Sequence, residues 1–289
     1  MLIGEGGGIR LHAIDAGTVR LDGGSMFGVV PKAMWSRQVE PDDRNRIPLA
    51  MRCLLIETSD SRILIDTGAG NKTSEKLGAI YGIENDGSPT KLEDSLREAG
   101  VTPSAIDLVI ATHLHFDHAG GQTVRRDDGR VVPAFENARY LIRRGEWDAG
   151  HSTNRRVRSG YTTPDFDPLA EAGVLDLTEG DFEVAPGVRL ICLPGHTHDH
   201  QGVLIDLGGE IVFYPVDLAP TSAHLRLSWI MAFDLEPLVT LAQKERWLTR
   251  AGEEGWRIVF CHDHRVVSGR ARPREGAPGC EITDLMTVD

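Results

Sequence analysis

A chain of 289 residues with 40% hydrophobic composition can bury a substantial core, and its length suits one large domain or two small ones. The formal charge of −12 and the pI near 5.4 give nonspecific binding to a phosphate backbone no electrostatic support. Nucleic acid is thereby excluded as a partner outside local patches, and a small neutral molecule is favoured. The start, MLIGEGGGIR, has no apolar run of the signal-peptide kind, and no later stretch approaches the roughly 18 apolar residues of a membrane span. A cytoplasmic protein without membrane contact is expected. Cys53, Cys192, Cys261 and Cys280 form no CxxC pair, so neither a disulfide framework nor a structural zinc knuckle is indicated. Cys192 and Cys261 read as small apolar residues of buried strands.

In chain order, RLHAIDAGTVRLDGG predicts a hairpin and AMRCLLIETSDSRILIDTGAG a second, with SDSR between two strand-length apolar runs. Between them, MFGVVPKAMWSRQVEPDDRNRIP lacks periodicity and predicts an ordered loop covering something. LEDSLREAGV has helical spacing with Gly100 as its stop, and IDLVIAT is a buried strand running into THLHFDHAGG. ARYLIRR and GEWDAG predict a strand and a helix start, and residues 150–170 a long surface excursion. Strands resume in VLDLTEGDFEVAPGVRLICLPGHT, GVLIDLGGEIVFYPVD and WRIVFCHD, with a helix at LVTLAQKERWLTRAG. The tail RARPREGAPGC is expected to fray or wrap the surface. With no repeat or linker, the chain is expected to be a single α/β domain over 1–289, with two mixed sheets face to face and helices outside. The loop at about 24–48 and the excursion at about 150–170 are expected to be pocket or dimer elements.

Four of the six residues of HLHFDH are metal-ligand types, and extended spacing puts His113, His115 and Asp117 on one side. A turn into helix at Asp117 would swing His118 to the same cavity. Imidazoles and a carboxylate crowded after a buried strand would be desolvated without compensation unless a dication sat among them. Three more ligand types follow apolar strands: His196 in CLPGHTHDH, Asp217 in IVFYPVD and His262 in IVFCHD. Strand ends on one sheet edge converge, so these seven suit two divalent ions, zinc first, with cobalt, manganese and iron also tolerated. His200 is expected to support the ligands rather than join them, and His198 carries no assignment.

HLHFDH, the GHT at 195–197, the Asp217 strand end and His262 resemble the ordered motifs of the metallo-β-lactamase superfamily over roughly residues 50–265. That resemblance implies the αβ/βα sandwich of two mixed β-sheets flanked by helices. It also implies His113, His115 and His196 on one ion, Asp117, His118 and His262 on the other, and Asp217 bridging. Asp66 in ILIDTG matches an acidic position supporting the site, and also reads as a strand-end turn residue. Water held between two ions is a nucleophile at neutral pH, its pKa falling from 15.7 to about 7, and Asp117 could pass a proton to the leaving oxygen.

GGSMFGVVPKAMWSR and DLAPTSAHLRLSWIMAFD resemble the YtnP-type branch of quorum-quenching N-acyl homoserine lactonases. This implies a metal-dependent hydrolase opening lactone rings, with Met26, Phe27, Val29, Trp35 and Trp229 as an apolar wall for an acyl chain; core or dimer packing is the alternative for each. Many such lactonases carry a tyrosine three residues after the bridging aspartate, where this chain has Pro220. His224 could donate a hydrogen bond to substrate instead, or make a structural one. The partner is then a small lactone or ester, and the apolar 26–35 loop suits a homodimer. The alternatives are an arylesterase or phosphotriesterase of the methyl parathion hydrolase type, and a metal-containing signal-binding protein without turnover. A glyoxalase II or a persulfide dioxygenase fits less well, for want of a basic helical C-terminal extension and of a one-iron site respectively.

Overall fold

The computed structural model describes residues 1–288, and the apolar runs of the sequence become strands in two seven-stranded mixed sheets, with a further pair of short strands forming a two-stranded sheet of its own. The first nine strands are β1 (Leu2–Gly6), β2 (Ile9–Asp22), β3 (Arg46–Glu57), β4 (Arg62–Ile65), β5 (Leu108–Ile110), β6 (Thr123–Arg125), β7 (Val131–Pro133), β8 (Arg139–Arg143) and β9 (Leu175–Thr178). The rest are β10 (Phe182–Ala185), β11 (Val188–Cys192), β12 (Gln201–Asp206), β13 (Ile211–Tyr214), β14 (Arg257–Val259), β15 (Val266–Pro273) and β16 (Cys280–Thr287). Helices flank the sheets, the longest being Pro237–Glu254, and no helix of the described residues is long and apolar enough to cross a membrane.

The chain forms two compact units, one of residues 1–19 and 50–180, the other of 20–49 and 181–288. In the first, the sheet order is β1-β2-β3-β4-β5-β8-β9, with β4, β5, β8 and β9 parallel. Leu54, Leu55, Ile56, Ile63, Leu64, Ile65, Val109 and Ile110 are all buried, the continuous apolar pattern of strands covered on both faces. Parallel neighbours end at one edge, so the residues following β4, β5 and β8 emerge together.

The second unit carries the order β10-β11-β12-β13-β14-β15-β16. β12 runs antiparallel to both β11 and β13, and β14 is parallel to β13, so β11, β13 and β14 share a direction and their C-terminal ends share an edge. The core here gathers Phe213, Leu218, Trp247, Leu248, Trp256, Ile258 and Phe260, with Trp256 edge-on to Phe213 at 5.8 Å.

Three expectations need correction. RLHAIDAGTVRLD is not a hairpin but lies within one strand, β2; the hairpin turn is at Gly7 and Gly8, whose φ of 57° and 80° suit the tight reversal into β1. Within β2, Gly17 has a φ of 101°, and a Cβ there would stand 2.4 Å from the carbonyl oxygen of Glu84, so only glycine fits. The tail does not fray, because RARP ends β15 and the chain returns as β16, pairing Pro273 with Cys280. Cys192 is half-buried rather than buried, and all four cysteines are free thiols. Phe213→Ala should open a cavity in the second core and lower unfolding stability by roughly 3–5 kcal/mol, read as a fall in the denaturant midpoint.

Candidate metal centre

In the first unit the C-terminal edge of the parallel strands delivers Asp66 after β4, the HLHFDH segment after β5, and Glu146 after β8. The helix Phe116–Ala119 begins just after His115, so His118 leaves the extended trace as expected, but Asp117 leaves it too instead of continuing the extended spacing of His113 and His115. His113 and His118 are buried, at 0% and 2% exposure. Thr112 Oγ1 lies 3.1 Å from His113 Nδ1, and His113 Nε2 lies 3.1 Å from His115 Nδ1. His118 Nδ1 lies 3.0 Å from the Asp66 carboxylate, which also accepts the backbone N–H and the hydroxyl of Thr112 at 2.8 and 2.9 Å. Asp66 has a φ of 60°, uncommon for any residue but glycine, so its turn conformation and its support of His118 are one feature.

The C-terminal edge of β11, β13 and β14 carries the second set. His196, Asp217 and His262 are all buried. The Asp217 carboxylate faces an imidazole on each oxygen: His196 Nε2 at 3.1 Å and His262 Nε2 at 3.2 Å. His196 Nδ1 is 2.9 Å from Asp234. Burial opposes a proton on His196, but Asp217 and Asp234 outweigh it and push the pKa up to about 10. Burial likewise opposes His262 protonation, and Cys261 and Asp217 raise its pKa well above the usual value. His200 supports Asp217 as expected: its Nδ1 donates to the Leu193 carbonyl at 3.0 Å and its Nε2 accepts the Asp217 N–H at 3.3 Å. His198 is exposed and pairs with Glu236.

These donors fit divalent ions. His118 and His196 each turn Nδ1 to a buried carboxylate, the orientation that leaves Nε2 as the ligand atom. His196 lies between two buried carboxylates, Asp217 at 3.1 Å from Nε2 and Asp234 at 2.9 Å from Nδ1, a surrounding that favours a cation there. Asp217, Cys261 and His262 also offer ligand atoms within 4.8 Å of one another. Burial pushes the Cys261 pKa up to about 12, which keeps it a thiol donating to Asp217 at 3.4 Å.

Of the substrate candidates, Met26, Phe27, Trp35 and Trp229 are packed together in the second unit, and Phe27 also lines a cavity with Thr221, Ser222 and Asp263. Phe27 stacks between Trp35 (5.4 Å) and His224 (4.8 Å) and meets Trp229 edge-on at 5.5 Å. Met26, Phe27, Trp35 and His224 are each 1% exposed and Trp229 is 4% exposed, which is core packing, whereas Val29 is 94% exposed. His224 donates through Nε2 to the Met26 carbonyl at 2.8 Å and accepts the Thr221 hydroxyl at 2.7 Å. Both nitrogens serve the protein, so the structural hydrogen bond replaces the substrate contact considered for His224. Pro220, in place of the lactonase tyrosine, gives its carbonyl to the His262 N–H at 2.9 Å.

Sequence reasoning missed Asp234 and Glu146. Glu146 accepts the Leu114 N–H at 3.1 Å and the Tyr161 hydroxyl at 2.8 Å, bracing the metal-ligand loop. It follows a strand parallel to β5, so the strand-end rule that singled out Asp217 would have found it.

Asp66→Asn and Asp234→Asn should each weaken metal binding about 10- to 100-fold, measured by competition with a chromophoric chelator. Burial and Lys244 hold the His224 pKa down at about 3. Below pH 6.5 the unfolded chain takes a proton that the folded ring refuses, so stability from this residue should fall as pH drops from 6.5 towards 3. His224→Gln should flatten that part of the profile of denaturant midpoint against pH.

The metallo-beta-lactamase superfamily profile matches residues 48–262. An N-acyl homoserine lactonase of Bacillus cereus is 29% identical over 269 residues, covering 90% of this chain and 95% of that protein. The N-acyl homoserine lactonase AiiA of Bacillus thuringiensis subsp. kurstaki is 29% identical over 263 residues, covering 88% and 93%. Among solved structures, a probable metal-dependent hydrolase from Staphylococcus aureus superposes with a TM-score of 0.86 at 30% identity, covering 98% of this chain and all of that one. AidC, a dizinc quorum-quenching lactonase, shares the fold, with a TM-score of 0.78 at 21% identity over 100% of this chain and 98% of its own. The strand-end histidines and aspartates and the two mixed sheets thus have their explanation: the chain belongs to the metallo-beta-lactamase superfamily and is a hydrolase of that family.

Proposed function

We propose that this hydrolase opens the ring of N-acyl homoserine lactones with two divalent ions, of which zinc best suits nitrogen and carboxylate donors. The observation that carries the proposal is similarity to N-acyl homoserine lactonases along nearly the whole chain, 90% of it for the Bacillus cereus protein. The donor geometry of each unit agrees with it. By the superfamily resemblance, His113, His115, Asp117 and His118 of the first unit and His196, Asp217 and His262 of the second would be the donors to these ions. When bound, the ions supply an activated water and polarise the lactone carbonyl.

The chain's own groups do the rest. Asp66 and Asp234 hold His118 and His196 by Nδ1, and His200 holds Asp217 by its backbone. Asp117 takes the proton of the attacking water and returns it to the ring oxygen as the acyl–oxygen bond breaks. The products are a carboxylate and an alcohol in one molecule, with one proton released to solution. The acyl chain needs an apolar place, and the first unit has a cavity of about 340 Å³ lined by Leu77, Tyr81, Phe116, Tyr161 and Thr162. Phe116 stands between His115 and Asp117 and stacks on Tyr81 at 5.2 Å, so that cavity opens beside the ligand loop. It is the larger apolar space: the cavity that Phe27 lines is about 120 Å³, and Met26, Trp35 and Trp229 are at most 4% exposed. The exposed Val29 and Met34 on the 24–48 segment are where a second copy would pack.

Titrating released acid from butanoyl and decanoyl homoserine lactones tests this directly. Metal-loaded enzyme should hydrolyse them, chelator should abolish the activity, and Leu77→Trp should cut kcat/KM for the decanoyl substrate more than for the butanoyl one. No metal-dependent acid release from either, or faster turnover of an activated phosphotriester, would replace the lactone assignment.

A further inference from the structure

A buried cation outside the ligand set lies against the loop that carries it. The segment following Asp66 grips residues 118–125 along its length. Thr67 gives both its N–H and its hydroxyl to the His118 carbonyl, at 2.7 and 2.9 Å, and Gly68 accepts the Gly121 N–H at 2.9 Å. Asn71 exchanges hydrogen bonds with the Arg125 backbone at 3.0 and 2.9 Å. Lys72 completes the grip: its ammonium donates to the carbonyls of Gly120 and of Thr123, the latter at 2.7 Å, and pairs with Asp165 at 3.1 Å. The Lys72 and Asp165 side chains are only 3% and 5% exposed.

Asp165 belongs to the stretch that covers the same loop from the other side. Gly160 accepts the Phe116 N–H at 3.0 Å, and its backbone lies so close to His115 that a Cβ would stand 2.9 Å from the ring. Thr123 donates its hydroxyl to the Pro164 carbonyl at 2.7 Å. The Lys72 ammonium therefore joins the C-terminal side of the ligand loop to the segment laid over His115. A buried ion pair is a poor source of stability compared with apolar packing, whereas it defines a geometry sharply.

We propose that Lys72 is a positioning residue for the hydrolysis: by tying Gly120 and Thr123 to Asp165, it fixes the loop bearing Asp117 and His118 under the segment that covers His115. This rests on the two-ion scheme above. Loss of the tie lowers kcat because the reacting groups lose their register; Lys72 and Asp165 also line the cavity beside Phe116, so KM shifts as well, and the cobalt spectrum is the readout that reports the ligand loop itself.

The test compares Lys72→Met, Asp165→Asn and the double variant, reading Tm, kcat, KM and the visible spectrum of the cobalt-substituted protein. Lys72→Met alone should lose Tm, since it strands the Asp165 charge. The double variant should recover Tm yet keep kcat roughly 10- to 100-fold below wild type, with the cobalt bands shifted. Asp165→Asn alone should cost less than the double variant, because both carbonyls remain held. Should Lys72→Met not fold even in the double variant, Lys72→Gln with Asp165→Asn gives the same comparison. Recovery of kcat and the cobalt spectrum together with Tm would overturn the proposal, leaving Lys72 as a countercharge only; equal loss in Asp165→Asn would do the same. If the wild type opens no lactone, the cobalt spectrum still decides the role of Lys72, and only the substrate assignment fails.

Discussion

Asp217 is buried with an imidazole nitrogen about 3 Å from each carboxylate oxygen, and the second unit is arranged around that concentration of charge. A carboxylate out of water needs compensation from hydrogen bonds, protons or metal. Here His196 and His262 supply it from the ends of β11 and β14, His200 secures the backbone N–H, and Cys261 adds a thiol. The position costs conformational energy as well. Val216, immediately before it, has a φ of 51°, a strained conformation for a β-branched residue and one typically retained where it aims a functional group.

The first unit meets the same requirement with different residues. Asp66 also sits at a positive φ directly after a strand, and its carboxylate gathers the Thr112 N–H, the Thr112 hydroxyl and His118. Each unit thus holds imidazoles by one nitrogen through a buried acid, Asp66 for His118 and Asp234 for His196. That arrangement makes a fixed ligand out of a side chain with two equivalent-looking donor atoms. It also explains why burial is so complete at residues that would otherwise be hydrated.

What the sequence disclosed follows from locality. HLHFDH was legible because its ligand types are adjacent and follow a buried strand, and His196, Asp217 and His262 because each repeats that context. Asp234 was not, since it reaches His196 from 38 residues away with no spacing to announce it. His224 bonds to Met26 across 198 residues, so its packing role and the burial of the Phe27 stack are tertiary facts that composition does not carry. The β1–β2 turn was misplaced because alternation marks a strand without locating its end, and β16 was hidden behind the Pro- and Gly-rich stretch that precedes it.

The proposed hydrolysis requires two ions, with donors drawn from the histidines and aspartates that follow the strands. Metal-free protein should be titrated with zinc while lactone hydrolysis and bound metal are followed on the same sample. Activity should rise to a plateau at two equivalents per chain. Full activity at one equivalent, with no further gain as a second ion binds, would contradict the account.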